Sequence, residues 1–207
     1  MIRLLAAAVA LVLVAASSAP SAAREPEPVR RYTIEQLMAS DEFGGLVFSA
    51  DDDRLLFTSK RTGVANVYVM PAAGGEAAHL IGSPRETVRL IGYFPGDERI
   101  LYASDRGGDE LDHIHVREAD GSSRDLTPGE RLRARFSGWA ADGSRFYVST
   151  NERDPRFFDM YEYDAATYRR RLIFENDAGY QVRAGSPDGR LVGLSPIHDN
   201  SATPAFL

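Results

Sequence analysis

The side chains best suited to binding lie in three charged segments of the sequence, residues 60–63, 105–110 and 151–158. Arginine presents a planar fork of donors that matches a carboxylate with two parallel hydrogen bonds. The segments are therefore predicted to carry the binding residues. The alternative is that they are solvated loops, crosslinked by local pairs of arginine and carboxylate. The candidate residues are Arg61, Arg106, Arg153 and Arg156.

No complete catalytic or metal-binding constellation accompanies these arginines. His113 and His115 lie two apart on a predicted strand near Glu110 and Asp112, which resembles part of a metal site but lacks a third fixed ligand. His79 and His198 are isolated. No Gly-x-Ser-x-Gly turn and no glycine-rich phosphate loop is present in the sequence. We therefore expect no catalytic residue, no metal and no cofactor.

A repeat positions the charged segments. In each copy a polar turn precedes an arginine and a short apolar strand, and the arginines stand at positions 54, 99, 145 and 190, in steps of 45, 46 and 45 residues. A period near 45 residues with several short strands per unit is typical of a β-propeller blade. The sequence therefore predicts an all-β propeller of four-stranded antiparallel blades.

The repeat predicts three complete blades and part of a fourth. The blades are expected at about residues 44–82, 87–128, 133–175 and 179–207. Because neighbouring strands run antiparallel, the loops between the second and third strands must all lie on one rim, together with the links between blades. The three charged segments are these loops. Predicted strands are residues 46–49, 54–59, 66–70 and 78–81 in the first blade, and 135–139, 145–150, 159–163 and 170–174 in the third. The fourth blade has residues 181–184 and 190–195, and a strand that begins near Ala205.

The N-terminus has the pattern of an export signal. Arg3 precedes an uninterrupted apolar run at residues 4–16, and small residues follow it, so residues 1–23 are predicted to be a signal peptide. Residues 24–43 are a leader with a short helix, which begins at a capping box formed by Thr33 and Gln36. The sequence has no cysteine, so an exported chain would depend on its core rather than on disulfides.

The overall composition is that of a globular domain. Hydrophobic residues make up 43% of the chain, charged residues make up 26%, and the net charge is −6. The negative charge argues against a nucleic-acid partner, and we expect no membrane association after removal of the signal. The predicted location is the periplasm or the extracellular medium.

Five segments of the sequence carry a resemblance to a known family: residues 32–38, 43–45, 61–68, 125–129 and 151–159. They resemble the propeller of exported bacterial serine peptidases of the prolyl oligopeptidase family. The resemblance covers almost all of the chain after residue 31. The shorter phrase at residues 186–190 is shared with Tol-associated periplasmic propellers and is specific for the fold alone.

The resemblance implies a propeller that covers an active site and admits peptides to it. In that family a C-terminal α/β-hydrolase domain carries the Ser-Asp-His triad, and about seven or eight blades close the ring. The expectation is a non-catalytic segment whose arginines contact a peptide carboxylate or the hydrolase domain. No adjacent pair of glutamates is present to bind a substrate's amino terminus as in dipeptidyl peptidases, which argues against that subtype.

Two alternatives remain at the level of the sequence. A Tol-associated type of propeller would act as a protein-binding module without any hydrolase domain. A naturally short product is disfavoured, because an open arc of blades exposes an apolar face and a strand edge. The working protein is therefore predicted to be longer than this chain.

Overall fold

The computed structural model describes residues 31–38 and 42–196, which belong to two separate compact units. The first contains one short helix, α1 (Ile34–Met38). Its predicted capping box forms: the Gln36 N–H donates to Thr33 Oγ1 at 3.2 Å, and the Thr33 N–H donates to Gln36 Oε1 at 3.0 Å. The predicted signal peptide, His198 and the strand near Ala205 lie outside the described residues.

The second unit consists of antiparallel sheets, and the predicted fold class is confirmed. Three sheets have four strands in sequential order, and a fourth sheet has two strands in the described part of the chain. Sheet 1 contains β1 (Phe43–Phe48), β2 (Arg54–Ser59), β3 (Asn66–Pro71) and β4 (Ala78–Ile81). Sheet 2 contains β5 (Val88–Tyr93), β6 (Ile100–Ser104), β7 (His113–Arg117) and β8 (Ser123–Asp125). Sheet 3 contains β9 (Ala134–Trp139), β10 (Arg145–Asp154), β11 (Phe157–Asp164) and β12 (Arg170–Phe174), and sheet 4 contains β13 (Tyr180–Gly185) and β14 (Val192–Pro196).

The apolar cores lie between consecutive sheets. Because side chains alternate along a strand, the residue two after the repeat arginine faces the next sheet and the residue three after it faces the preceding one. Leu56 of sheet 1 and Tyr102 of sheet 2 accordingly share one core, and Leu101 of sheet 2 shares the next core with Val148 of sheet 3. Tyr147 begins a third core, toward sheet 4. Each sheet is thus stabilised by its neighbours.

The repeat arginines tie neighbouring sheets together. Arg54 forms an ion pair with Glu98 in the turn before β6. Arg99 donates to the Ala165 carbonyl at 2.8 Å and to the Tyr168 hydroxyl at 2.7 Å, both in sheet 3. Its guanidinium also stacks on Phe94, with Cζ 4.2 Å from the ring centroid. The repeated arginine is therefore a structural residue in these sheets.

The third charged segment is not the loop that the sequence predicts. Strands β10 and β11 continue past the expected ends at Thr150 and Asp159, with a bulge after Thr150, and pair again at Asp154 and Phe157. The turn closes because the Asp154 carboxylate accepts the Arg156 N–H at 2.9 Å. Residues 151–158 therefore form the end of a projecting hairpin.

No helix within residues 31–38 and 42–196 is long and apolar enough to span a membrane.

Replacing Arg99 with methionine should destabilise the chain by about 2–3 kcal/mol. The substitution keeps most of the apolar stem but removes two hydrogen bonds to sheet 3 and the contact with Phe94. Urea denaturation followed by tryptophan fluorescence measures the change, because Trp139 packs 4.9 Å from Phe94. Arg190→Met is the matched control, since Arg190 has the same repeat position and is exposed. Equal destabilisation by both variants would contradict the tie between sheets 2 and 3.

Candidate functional site: the loop rim

One end of the sheets carries all three charged segments, and we call it the loop rim. It consists of residues 60–65, 105–112 and 151–158, together with the links between sheets at residues 82–87, 126–133 and 175–179. Backbone hydrogen bonds join neighbouring sheets at this end: the Val88 N–H donates to Ala65 at 2.8 Å, and the Ala134 N–H donates to Asp112 at 2.7 Å. The charged segments of successive sheets therefore form one continuous surface.

A buried polar side chain anchors the loop rim in each complete sheet. These anchors are Asn66, His113 and Asp159, and each is paired across the ladder with a hydroxyl residue at the corresponding point of the second strand. All three are at most 4% exposed. Buried polar groups are costly unless they are hydrogen-bonded, so their partners fix the surrounding backbone.

In sheet 1, Asn66 fixes the loop and excludes side chains from the adjacent link. Its Nδ2 donates to Thr62 Oγ1 at 3.0 Å and to the Val64 carbonyl at 3.3 Å. A Cβ atom at Gly82, which has a φ of +127°, would lie 1.6 Å from Asn66 Oδ1. Only glycine therefore fits at this point of the first link.

In sheet 2, His113 joins the loop rim to the second link. Its Nδ1 lies 2.7 Å from Asp125 Oδ2, and the other oxygen of Asp125 accepts the Thr127 N–H at 2.9 Å. The Thr127 hydroxyl in turn accepts the Ile114 N–H at 2.9 Å. His113, one of the two histidines that resemble part of a metal site, thus has a structural partner.

The second histidine of that pair, His115, stacks on Tyr102, and burial lowers the pKa of its imidazole.

Within the described residues, no group of three or more histidine, aspartate or glutamate side chains is placed to hold a metal ion.

In sheet 3, Asp159 holds the base of the projecting hairpin. Its fully buried carboxylate accepts Arg153 Nε at 2.7 Å, Arg153 Nη2 at 2.9 Å and the Asn176 N–H at 2.8 Å. Arg153 Nη2 also donates to the Asn176 carbonyl at 2.9 Å. These hydrogen bonds raise the pKa of Arg153. The Arg153 fork therefore faces its own fold, and an external carboxylate would have to compete with Asp159 for it.

The other three candidate arginines are placed differently. Arg61 lies over the aromatic face of sheet 1, with Cζ 4.6 Å from the Tyr68 ring centroid. Arg106 is exposed, and within the described residues its guanidinium has no ion-pair or ring partner. Arg156 lies at the hairpin tip, with 73% of its side chain exposed, and it pairs with Asp154 at 2.7 Å. These three arginines remain accessible at or near the loop rim.

Local ion pairs run through the same rim, as the alternative interpretation expects. Lys60 pairs with Glu42, and Arg89 pairs with Asp112. Arg170 pairs with Glu152 at 2.8 Å, and burial, together with the hydrogen bond that the Tyr161 hydroxyl donates to this carboxylate, raises the pKa of Tyr161 to about 12. These pairs involve only part of the rim: within the described residues, Arg61, Arg85, Arg106 and Arg131 have no carboxylate at ion-pair distance.

Two clefts open at the loop rim. The larger, about 590 Å³, lies between β1 and β5, and the other, about 420 Å³, lies between the second link and the hairpin. Both volumes fall in the range of small-ligand sites. Apolar and charged side chains line both clefts: Phe43, Val88, Leu90, Glu42, Lys60 and Arg89 in the first, and Pro128, Leu132, Pro155, Glu130, Arg131 and Glu152 in the second.

Comparison with solved structures defines the class of protein first. The chain is similar to TolB from Acinetobacter baumannii, with a TM-score of 0.55 and 15% identity over 80% of this chain and 40% of that one. It is also similar to a prolyl endopeptidase, with a TM-score of 0.57 and 16% identity over 74% of this chain and 24% of that one. A third similar structure is an oligogalacturonate lyase in complex with manganese, with a TM-score of 0.58 and 16% identity over 75% of this chain and 47% of that one. At these identities the likeness establishes the fold, which is a β-propeller.

A protein with a similar sequence indicates the family. Dipeptidyl aminopeptidase BIII from Pseudoxanthomonas mexicana is 32% identical to this chain over 184 residues, which cover 86% of the chain. The chain spans about a quarter, 26%, of that relative's length. No family model matches the sequence. The chain belongs to the prolyl oligopeptidase family and corresponds to its propeller.

Replacing Arg153 with methionine should loosen the hairpin base. The substitution leaves the buried Asp159 carboxylate without its cation, so the Asn176 N–H and the amides of residues 150–159 should exchange with solvent at least about tenfold faster. Hydrogen exchange measured by NMR tests this expectation. Arg156→Met is the control, because it removes an arginine from the tip and leaves the base intact. Unchanged exchange in the Arg153 variant would contradict the anchoring role.

The Asp154 carboxyl should titrate abnormally. Hydrogen bonds from Arg156 lower its pKa to about 2, so the pair persists at neutral pH and is lost only as the pH falls through that value. In Arg156→Met the pKa should return toward the ordinary value near 3.8. Carbon-detected NMR titration of the carboxyl group measures both. An ordinary pKa for Asp154 in the unmodified chain would contradict its pairing with Arg156 at the hairpin tip.

Proposed function

We propose that this propeller segment gates and orients peptide substrates for a serine hydrolase domain elsewhere in a longer exported peptidase. The observation that carries the proposal is the 32% identity to a dipeptidyl aminopeptidase over 184 residues. Because that relative is about four times longer than the matched region, catalysis is assigned to the part of the protein outside this chain. The segment itself hydrolyses nothing.

The loop rim supports this role physically. Function in β-rich scaffolds resides mainly in loops held by a rigid framework, and the buried anchors Asn66, His113 and Asp159 give this rim such a framework. The two clefts at the rim have the volume to receive parts of a short peptide. A surface of this kind can discriminate between extended peptides and folded proteins by size and stiffness.

The candidate arginines divide into two groups under this proposal. Arg61, Arg106 and Arg156 are accessible and are assigned to contacts with a peptide carboxylate or with the hydrolase domain. Arg153 supports them indirectly, because it holds the hairpin that presents Arg156. Export rests on the uninterrupted apolar run at residues 4–16, which follows Arg3.

A second candidate function is a protein-binding module of the TolB type. It is favoured by the likeness to TolB over 80% of this chain, a larger share than the prolyl endopeptidase covers. The two functions differ in what the gene encodes after Leu207. An open frame that reaches a Gly-x-Ser-x-Gly turn and a later histidine supports the peptidase, whereas further repeats followed by a stop codon support the binding module.

Arginine variants of the longer protein test the gating role. Replacing Arg106 or Arg156 with methionine should raise KM for short peptides that have a free C-terminal carboxylate by about three- to tenfold at nearly constant kcat, because binding is weakened while the catalytic groups are untouched. Arg190→Met, on the opposite rim, is the control. Unchanged KM in both rim variants would remove these arginines from substrate contact. Serine-inhibitor-sensitive turnover by the 207-residue chain alone would overturn the non-catalytic assignment.

A further inference from the structure

A third cavity, between sheets 1 and 2, shares Val88 with the larger loop-rim cleft, extends from the first link toward the opposite end of the sheets, and has the characteristics of a binding site. Its volume is about 260 Å³, below the range for drug-sized ligands and suited to a molecule of amino-acid or dipeptide size. We call it the Arg117 cavity. Its polar lining is Glu86, Tyr102, Arg117 and Ser123, and the rest of its lining is Leu80, Ile81, Gly82, Val88 and Gly121.

Arg117 is the unusual residue of this cavity. It is half-buried, yet within residues 31–38 and 42–196 no carboxylate lies within ion-pair distance of it. Arg54, Arg89 and Arg99 of the same two sheets each have a carboxylate partner, and Arg124 of β8, which also has none, is exposed. A half-buried guanidinium with unused donors is suited to receive a carboxylate from a ligand.

Arg117 lines the cavity from the end of β7. The residue ends β7, and a Cβ atom at Gly121 would lie 3.3 Å from its Nη2, so the guanidinium rests against the turn before β8. Tyr102 is only 6% exposed and shares a hydrogen bond with Ser123, so two hydroxyls line the cavity beside the cation. A ligand carboxylate at Arg117 would therefore have further donors within the same wall.

A carboxylate, that of Glu86, lines the end of the cavity that is opposite Arg117. Glu86 lies in the link before β5, at the loop-rim end of the sheets, whereas Arg117 lies at the opposite end of β7. The Glu86 carboxylate has only a weak partner, the Ser83 hydroxyl at 3.4 Å. It would repel a multiply charged anion such as phosphate and attract an ammonium group. The charges of the lining are therefore complementary to a zwitterion.

We propose that the Arg117 cavity binds a small zwitterion, a free dipeptide, with the carboxylate on Arg117 and the ammonium group toward Glu86. The site goes beyond the proposed gating function and does not depend on it, since its cation, Arg117, lies at the end of β7 opposite the loop rim. A ligand held there contacts both sheets and would stabilise their packing, since it binds only the folded state.

NMR titration of the purified chain with glycylglycine tests the site. The amide signals of Gly121 and Ser123 should shift saturably, with a Kd on the order of 1 mM. Arg117→Met should weaken binding by about tenfold or more, since it removes the charged donors and keeps the stem. Arg190→Met, which replaces an exposed arginine in the turn between β13 and β14, should bind as the unmodified chain does. If Arg117→Met does not fold, Arg117→Lys and Glu86→Gln provide the same comparison.

Acetate and inorganic phosphate separate a zwitterion site from a general anion site. Acetate and phosphate should bind more weakly than glycylglycine, and Glu86→Gln should weaken glycylglycine alone. Absence of saturable shifts with glycylglycine, or undiminished binding in Arg117→Met, would overturn the site. Equal binding of acetate and glycylglycine with no effect of Glu86→Gln would overturn the zwitterion assignment. These outcomes leave the gating function untouched, because they do not involve KM at the active site.

Discussion

Each four-stranded sheet of this chain can bury its apolar residues only against another sheet, and the rest of the structure depends on that constraint. The alternation of side chains sends Leu56, Leu101 and Tyr147 toward the following sheet and Tyr102 and Val148 toward the preceding one. The polar turns that separate the strands keep this register from one repeat to the next. The repeat arginines Arg54 and Arg99 reinforce it, because each reaches a residue of the next sheet.

The same stacking creates the surface to which function is assigned. Antiparallel order brings the loops and the links to one end, and a buried Asn, His or Asp fixes that end in each complete sheet. These anchors differ in chemistry and in partners: Asn66 bonds the loop before β3, His113 contacts Asp125, and Asp159 binds Arg153 and the Asn176 N–H of the following link. A rim built in this way can vary its exposed side chains without disturbing the packing below. This freedom is consistent with propellers of unlike functions sharing the fold.

Strands that belong to the repeat pattern could be predicted from the sequence. The bounds of β2, β4 and β12 agree with the predicted strands because apolar alternation follows a turn at constant spacing. The extension of β10 and β11 could not be predicted, because Asp154, Pro155 and Arg156 have the composition of a loop and their pairing depends on the buried contact between Arg153 and Asp159. The Arg117 cavity has no sequence signal, since its lining comes from both sheets and from the link between them.

The central claim is that peptides meet this propeller at the loop rim. The most direct measurement is photo-crosslinking of a short peptide carrying a benzophenone side chain to the longer protein, with the attachment sites mapped by mass spectrometry. We expect attachment within residues 60–65, 105–112 and 151–158 or in the clefts beside them. Attachment confined to the turns at the opposite end of the sheets, or none on the propeller, would contradict it.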